Sequence, residues 1–264
     1  YLDLGIAEQN MIGVATGFAS EGYNVITTTF APFQTIRCCE QIKVNFGYMK
    51  HKICMVGIAS GLSLGTLGFT HCCIEDIGIL RSIPGITIIS PADSFETVKA
   101  LEASIKYDGA IYIRLTGSSN NPIVYKEDYK FEIGKSIELI KGEDVTIFCT
   151  GSMVYQSLKA AEILNEKKIS CSVINIHTIK PLDKDIIQEE CAKSKLIVSV
   201  EEHNIIGGLG SAISELKSQI QNSPKLLRIG VDDYYSKGGS YKFLLNKHGL
   251  TPEAISNNIL KNLK

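Results

Sequence analysis

Short runs rich in valine and isoleucine, bounded by glycine, proline and polar turns, alternate along this chain with segments whose apolar residues recur every three or four positions. The runs predict strands at Val25 to Thr28, Ile53 to Ile58, Ile86 to Ser90 and Ala110 to Leu115 in the first half. In the second half they predict strands at Val145 to Thr150, Cys171 to Ile176, Leu196 to Val200 and Leu226 to Ile229. Nearly continuous apolar strands with helices between them indicate parallel sheets buried on both faces. Tyr1 to Leu4 reads as the tail of one further strand, and Gly57 to Gly68 as a glycine-rich loop too irregular for a strand.

Three helices are sharply marked. Met11, Val14, Ala15, Phe18 and Ala19 fall at the spacing of one buried face, with Gly13 and Gly17 leaving another side bare for close approach. Asp93 followed by Glu96 is a capping pair that opens a helix, with Phe95, Val98, Leu101 and Ile105 expected to face inward. Thr251-Pro252-Glu253 opens the last helix, with Ile255, Ile259 and Leu263 expected inside. The polar, turn-rich stretch from Asn120-Asn121-Pro122 to Asp128 is expected to link two domains, residues 1–128 and 129–264. The predicted fold class is α/β, two doubly wound open-sheet domains, with no short internal repeat.

Length and composition agree with that picture. A chain of 264 residues with 44% apolar content can bury a large core. Its 27 lysines and arginines against 28 acids provide no basic field for nucleic acid or anionic lipid. No apolar run approaches the ~18 residues needed to span a bilayer, so a membrane partner is not expected. The eight cysteines include adjacent pairs, Cys38-Cys39 and Cys72-Cys73, and no C-x-x-C spacing or repeated Cys/His pattern that would close a metal site. Free thiols packed as small hydrophobes point to a reducing compartment, the cytoplasm.

Several positions could carry chemistry. Glu8 lies at a strand-to-helix junction, where an acid either complements the helix dipole at the surface or serves a ligand. Phe30 and Phe33 flank Pro32 after a threonine-rich strand, as core aromatics or as a flat wall for a ring. His71 follows Gly68-Phe69-Thr70 in a turn, where histidine is commonly a surface or capping residue. Arg114 comes at the carboxyl end of a predicted strand, an edge where open α/β sheets bind ligands, although pairing with a local carboxylate is equally open. Gly207-Gly208-Leu209-Gly210 after Glu201-Glu202-His203 lacks Rossmann spacing, and His177 and His203 read as packing residues. The lysine-rich tail from Lys242 to Lys264 reads as a solvated helix face.

Taken together, Gly5-Ile6-Ala7-Glu8-Gln9-Asn10-Met11, Thr29 to Phe33, Gly68 to His71 and Pro84 to Asp93 resemble the pyrimidine-binding half of the transketolase family. That family comprises thiamine diphosphate enzymes including transketolase, deoxyxylulose-phosphate synthase and, more distantly, the β subunits of 2-oxo acid dehydrogenases. The resemblance implies that Glu8 hydrogen-bonds the aminopyrimidine ring nitrogen and so activates the cofactor, and that Phe30 and Phe33 border that ring. It further implies that His71 transfers protons at the substrate and that Arg114 binds a substrate phosphate. The sequence departs from the family pattern at Leu67, where family members carry an Asp that reads a substrate hydroxyl. Ala59 and Ser60 stand where a substrate-binding His or Arg is common, and Ile36 where a further aromatic is common. Family pyrimidine domains also begin with a helix and strand upstream of the position matching Tyr1, so the first sheet is expected without them.

No G-D-G segment with a following Asn-rich turn, through which the family holds Mg²⁺ and diphosphate, occurs in the sequence. The resemblance therefore implies half an active site, completed by an N-terminal-section transketolase subunit in an α₂β₂ assembly. The expected reaction is transfer of a two-carbon ketol unit from a ketose phosphate to an aldehyde. The alternatives are a decarboxylating subunit, like deoxyxylulose-phosphate synthase or a 2-oxo acid dehydrogenase β subunit, and a noncatalytic scaffold.

Overall fold

The computed structural model describes residues 1–118 and 120–263. In the first half, α1 (Glu8–Ser20) leads into β1 (Ile26–Phe30), then α2 (Ala31–Gln34) and α3 (Cys39–Ile42), the latter continuing as a π-helical segment over Lys43–Tyr48. There follow β2 (Ile53–Ser60), α4 (Asp76–Arg81), β3 (Ile86–Ile89), α5 (Ser94–Lys106) and β4 (Ala110–Thr116). The second half contains β5 (Ile137–Ile140), β6 (Val145–Cys149), α6 (Met153–Glu166), β7 (Cys171–Asn175) and β8 (Thr178–Lys180). It closes with α7 (Lys184–Lys193), β9 (Leu196–Asn204), α8 (Leu209–Lys217), β10 (Lys225–Val231), α9 (Tyr241–Lys247) and α10 (Pro252–Asn262).

The strands form two five-stranded sheets, ordered β1-β2-β4-β3-β8 and β10-β9-β6-β7-β5. All pairings are parallel except those of β8 on β3 and β5 on β7. The apolar runs of β3, β6 and β7 are buried at every position, as strands covered on both faces must be. Tyr1 to Leu4 has no strand structure, contrary to expectation, and β2 runs on to Ser60 into the stretch expected to be loop.

Two helix faces differ from the sequence pattern. On α1 the fully packed residues are Glu8, Ile12 and Ala15, while Phe18 is exposed, so the inward face is turned by about one residue. On α5 the buried residues are Glu96, Ala100 and Ser104, and Phe95, Val98 and Ile105 are exposed. The physical reason is Glu96. Asp93 caps the helix by accepting from Glu96 N at 2.8 Å, and the Glu96 carboxylate turns inward. There it accepts from Ala92 N, Tyr129 Oη and Asn175 Nδ2 at 2.6 to 3.0 Å, partners that include the second half of the chain. The same helix cap ties down the expected linker, because Val124 N and Tyr125 N donate to Asp93 Oδ2 at 2.7 and 3.1 Å. That stretch is a packed strap, and the Tyr125 side chain joins the second-half core. The lysine-rich tail forms α9 and α10, whose Leu244, Leu245, Ile255 and Ile259 are buried beneath an exposed face that includes Lys242, Lys247 and Lys261.

Candidate functional site

Glu8 begins α1 immediately after a turn that Gly5 makes with φ +69°, a conformation favouring glycine. Ala7, the residue before it, offers no side-chain cap, and the Glu8 carboxylate is not free at the surface, being 7% exposed. Oε2 accepts from Arg37 Nη1 at 2.6 Å, and the Arg37 guanidinium lies 4.1 Å from the centre of the Phe33 ring. Gln9 Nε2 donates to the Arg37 carbonyl at 3.1 Å, which ties the turn between α2 and α3 to the first turn of α1.

Phe30 ends β1, and Pro32 near the start of α2 sharply turns the chain after it. The two rings meet edge to face at 6.2 Å. His71 comes from the other strand end, on the loop after β2. An isolated bridge between Gly61 and Cys73 closes the base of that loop, and Gly239 N donates to Gly65 O at 2.9 Å from the second half. The His71 ring packs edge-on against Phe33 at 5.4 Å and Phe30 at 6.4 Å. β1 and β2 are parallel neighbours, so both contributions emerge at one carboxyl edge, where open α/β sheets present ligand groups. Glu8, Phe30, Phe33 and His71, widely separated in sequence, therefore form one contiguous set, with Arg37 joining Glu8 to Phe33.

His71 is oriented by its own turn. Thr70 Oγ1 donates to Leu67 O at 3.3 Å and lies 3.0 Å from His71 Nδ1. This contact fixes the ring through Nδ1 and leaves Nε2 without a partner in the turn. A cleft of about 420 Å³ runs along α1, with Gly5, Glu8, Met11 and Thr28 in its wall, so Glu8 stands between the cleft and the aromatic cluster.

Arg114 does not join this set. Its side chain is 1% exposed, with Nε donating to Asp76 Oδ1 and Oδ2 at 3.0 and 2.8 Å and Nη2 donating to Cys73 O and Glu202 O at 3.1 and 3.0 Å. With Nε and Nη2 engaged by a buried carboxylate and two carbonyls, Arg114 is held as a core ion pair here, and this geometry lends no support to the expected phosphate contact. Ser60 is likewise turned inward, donating to Gly57 O at 3.2 Å. Leu67 and Ile36, the departures from the family pattern, are both exposed.

The Glu201 to Gly210 segment explains itself as architecture. Glu201 Oε2 and Oε1 accept from Leu209 N and Gly210 N at 2.7 and 2.8 Å, so the amino end of α8 is occupied by the chain's own acid. Burial pushes this carboxyl up to about 7. His203 and His177 are enclosed, and burial lowers each to about 4, keeping both neutral as packing groups. All eight cysteines are free thiols, and burial raises Cys38 to about 11. Among the described residues no group of three or more His, Cys, Asp and Glu is placed to hold a metal ion. No helix among them is long and apolar enough to cross a membrane.

Sequence reasoning missed Arg37. The signal was present, since Phe33 and Arg37 are four apart at a helical spacing that sets a cation above a ring.

The transketolase pyrimidine-binding domain model matches residues 1–121, and the transketolase C-terminal domain model matches residues 134–255. The chain belongs to the transketolase family. It is 39% identical over 267 residues to a putative transketolase C-terminal section of Methanocaldococcus jannaschii, an alignment covering 100% of this chain and 83% of that protein. A 6-deoxy-6-sulfo-D-fructose transketolase subunit SqwH of a Clostridium species is 38% identical, with 96% of this chain and 78% of that protein covered. Among solved structures, a split gene transketolase described as an inactive β₄ tetramer superimposes with a TM-score of 0.89 at 32% identity, covering 99% of this chain and 83% of that one. This transketolase-family chain is thus similar along nearly its whole length to the C-terminal sections of enzymes divided between two polypeptides.

Proposed function

We propose that this chain is the C-terminal subunit of a split transketolase that transfers a two-carbon ketol unit from a ketose phosphate to an aldehyde. The observation that carries the reading is the set at the sheet edge: an enclosed Glu8 carboxylate beside the Phe33 and Phe30 rings, with His71 packed on the same two rings. An acceptor-only carboxylate next to an aromatic wall fits a flat heterocycle that carries N–H donors, as an aminopyrimidine does. Bound thiamine diphosphate would supply the nucleophilic carbon and electron sink that cleavage beside a carbonyl requires. Its Mg²⁺ and diphosphate ligands are assigned to an N-terminal-section partner, in an α₂β₂ assembly working in the cytoplasm.

The roles of this chain's residues follow from their placement. Glu8 holds a proton between its carboxylate and a ring nitrogen, Phe30 and Phe33 orient the ring and exclude water, and His71 Nε2 exchanges a proton with a substrate oxygen. General acid–base groups of this kind are worth on the order of 10²–10⁴ in rate. Leu67 beside the His71 turn offers an apolar contact, so this subunit makes no polar demand on the substrate there.

Substrate class is tested with the reconstituted pair of subunits, thiamine diphosphate and Mg²⁺. Xylulose 5-phosphate with an aldose acceptor is expected to support two-carbon transfer, with no carbon dioxide released from pyruvate. Carbon dioxide from pyruvate without ketol transfer would move the subunit to the deoxyxylulose-phosphate synthase or 2-oxo acid dehydrogenase type. Failure of the pair to bind thiamine diphosphate would leave it a scaffold.

A further inference from the structure

Arg37 already makes the two contacts that a bound aminopyrimidine would make with this chain. Its Nη1 donates to Glu8 Oε2 at 2.6 Å, and its planar guanidinium lies over Phe33, 4.1 Å from the ring centre. Guanidinium and aminopyrimidine share the relevant chemistry, a flat delocalised face flanked by N–H donors. We propose that Arg37 is a self-occupying latch, filling the pyrimidine site with its own side chain and setting cofactor affinity by competing for Glu8 and Phe33.

Three observations support a competitor over a permanent structural pair. The Glu8 side chain is 8% exposed and needs a cationic partner when no ligand is bound, since burying a lone carboxylate is costly. The Arg37 side chain, by contrast, is 41% exposed and can swing its head into water while its stem stays at the surface. Its backbone does not have to follow, because Arg37 O accepts from Gln9 Nε2 and Arg37 N donates to Pro32 O at 3.2 Å. Arg114 shows what a permanent pair looks like in the same molecule: Nε on both oxygens of Asp76, and 1% exposure.

The inference rests on the proposed pyrimidine role of Glu8, and the test separates the two. Thiamine diphosphate with Mg²⁺ is titrated calorimetrically into the assembled two-subunit complex carrying wild-type chain, Arg37→Met, Glu8→Gln or both changes. Methionine keeps an apolar stem and removes the guanidinium. A latch closed about nine-tenths of the time weakens apparent affinity roughly tenfold, so Arg37→Met should tighten binding by about that factor. The gain should vanish in the Glu8→Gln background, where the latch has lost its anchor. Thermal unfolding of the cofactor-free chain should show Arg37→Met melting below wild type, because Glu8 is left unpaired. Unchanged or weaker binding by Arg37→Met overturns the latch, while weakened binding by Glu8→Gln would still support the pyrimidine reading. Equal affinity of Arg37→Met and the double variant, both free of the latch, overturns the pyrimidine reading and the latch with it.

Discussion

Arg37 and Arg114 both pair with a carboxylate, at 2.6 and 2.8 Å, yet only the first pair reaches water. The difference separates a pair at the edge of the Glu8 set from a pair in the core. Removing Arg114 leaves the Asp76 carboxyl at 0% exposure without its ion-pair partner, with Tyr112 Oη still donating to it at 2.7 Å. Arg114→Met is therefore expected to cost about 3–5 kcal/mol of stability, read from urea denaturation. A variant that unfolds like wild type but no longer prefers phosphorylated substrates would instead restore the phosphate-binding role. Both outcomes bear on what a sequence can reveal about a residue. That Glu8, Phe30, Phe33 and His71 belong together was readable because each lies in a local segment whose spacing carries the resemblance, and the structure groups them. The fate of Arg114 was not readable, because Asp76 and the carbonyls of Cys73 and Glu202 reach it only through the fold.

Among the elements, long strands and capped helices were legible from periodicity and cap residues, and their observed cores follow the predicted runs. β8, at three residues, and β5, at four, are too short to show a period and are placed by pairing with distant strands. The inward face of α5 was misread because Glu96 is satisfied by Tyr129 and Asn175, partners that no window around the helix contains. The Glu201 cap on α8 is a similar case, with the acid eight and nine residues from the amides it binds. A Cβ at Gly208 would overlap Glu201 Oε2 and press on His203 Nδ1 at 2.7 Å. Gly208→Ala should thus displace the internal cap at a cost of about 1–3 kcal/mol, the usual range for overpacking, seen as a lower urea midpoint. An unchanged midpoint would mean that the loop relaxes freely and the cap adds nothing.

On the scale of the whole molecule, the two sheets are joined by side chains and backbone alike. β8 from the second half extends the first sheet, Tyr125 packs into the second core, and Glu202, held by Ser152 and Tyr241 of its own half, accepts from Leu62 N across the halves. Such a frame ties the first sheet, whose β1 and β2 carry the Glu8 set at their carboxyl edge, to the second half of the chain. The central claim is that this frame presents half a thiamine diphosphate site, with Glu8 as its working group. It is tested most directly by following two-carbon transfer from a ketose phosphate in four mixtures: this chain alone, partner alone, both together, and both with Glu8→Gln. The account predicts turnover only when wild-type chain and partner are combined, and a loss on the order of 10² or more for the assembled Glu8→Gln pair. Turnover by this chain alone, or near wild-type turnover with Glu8→Gln, would contradict it.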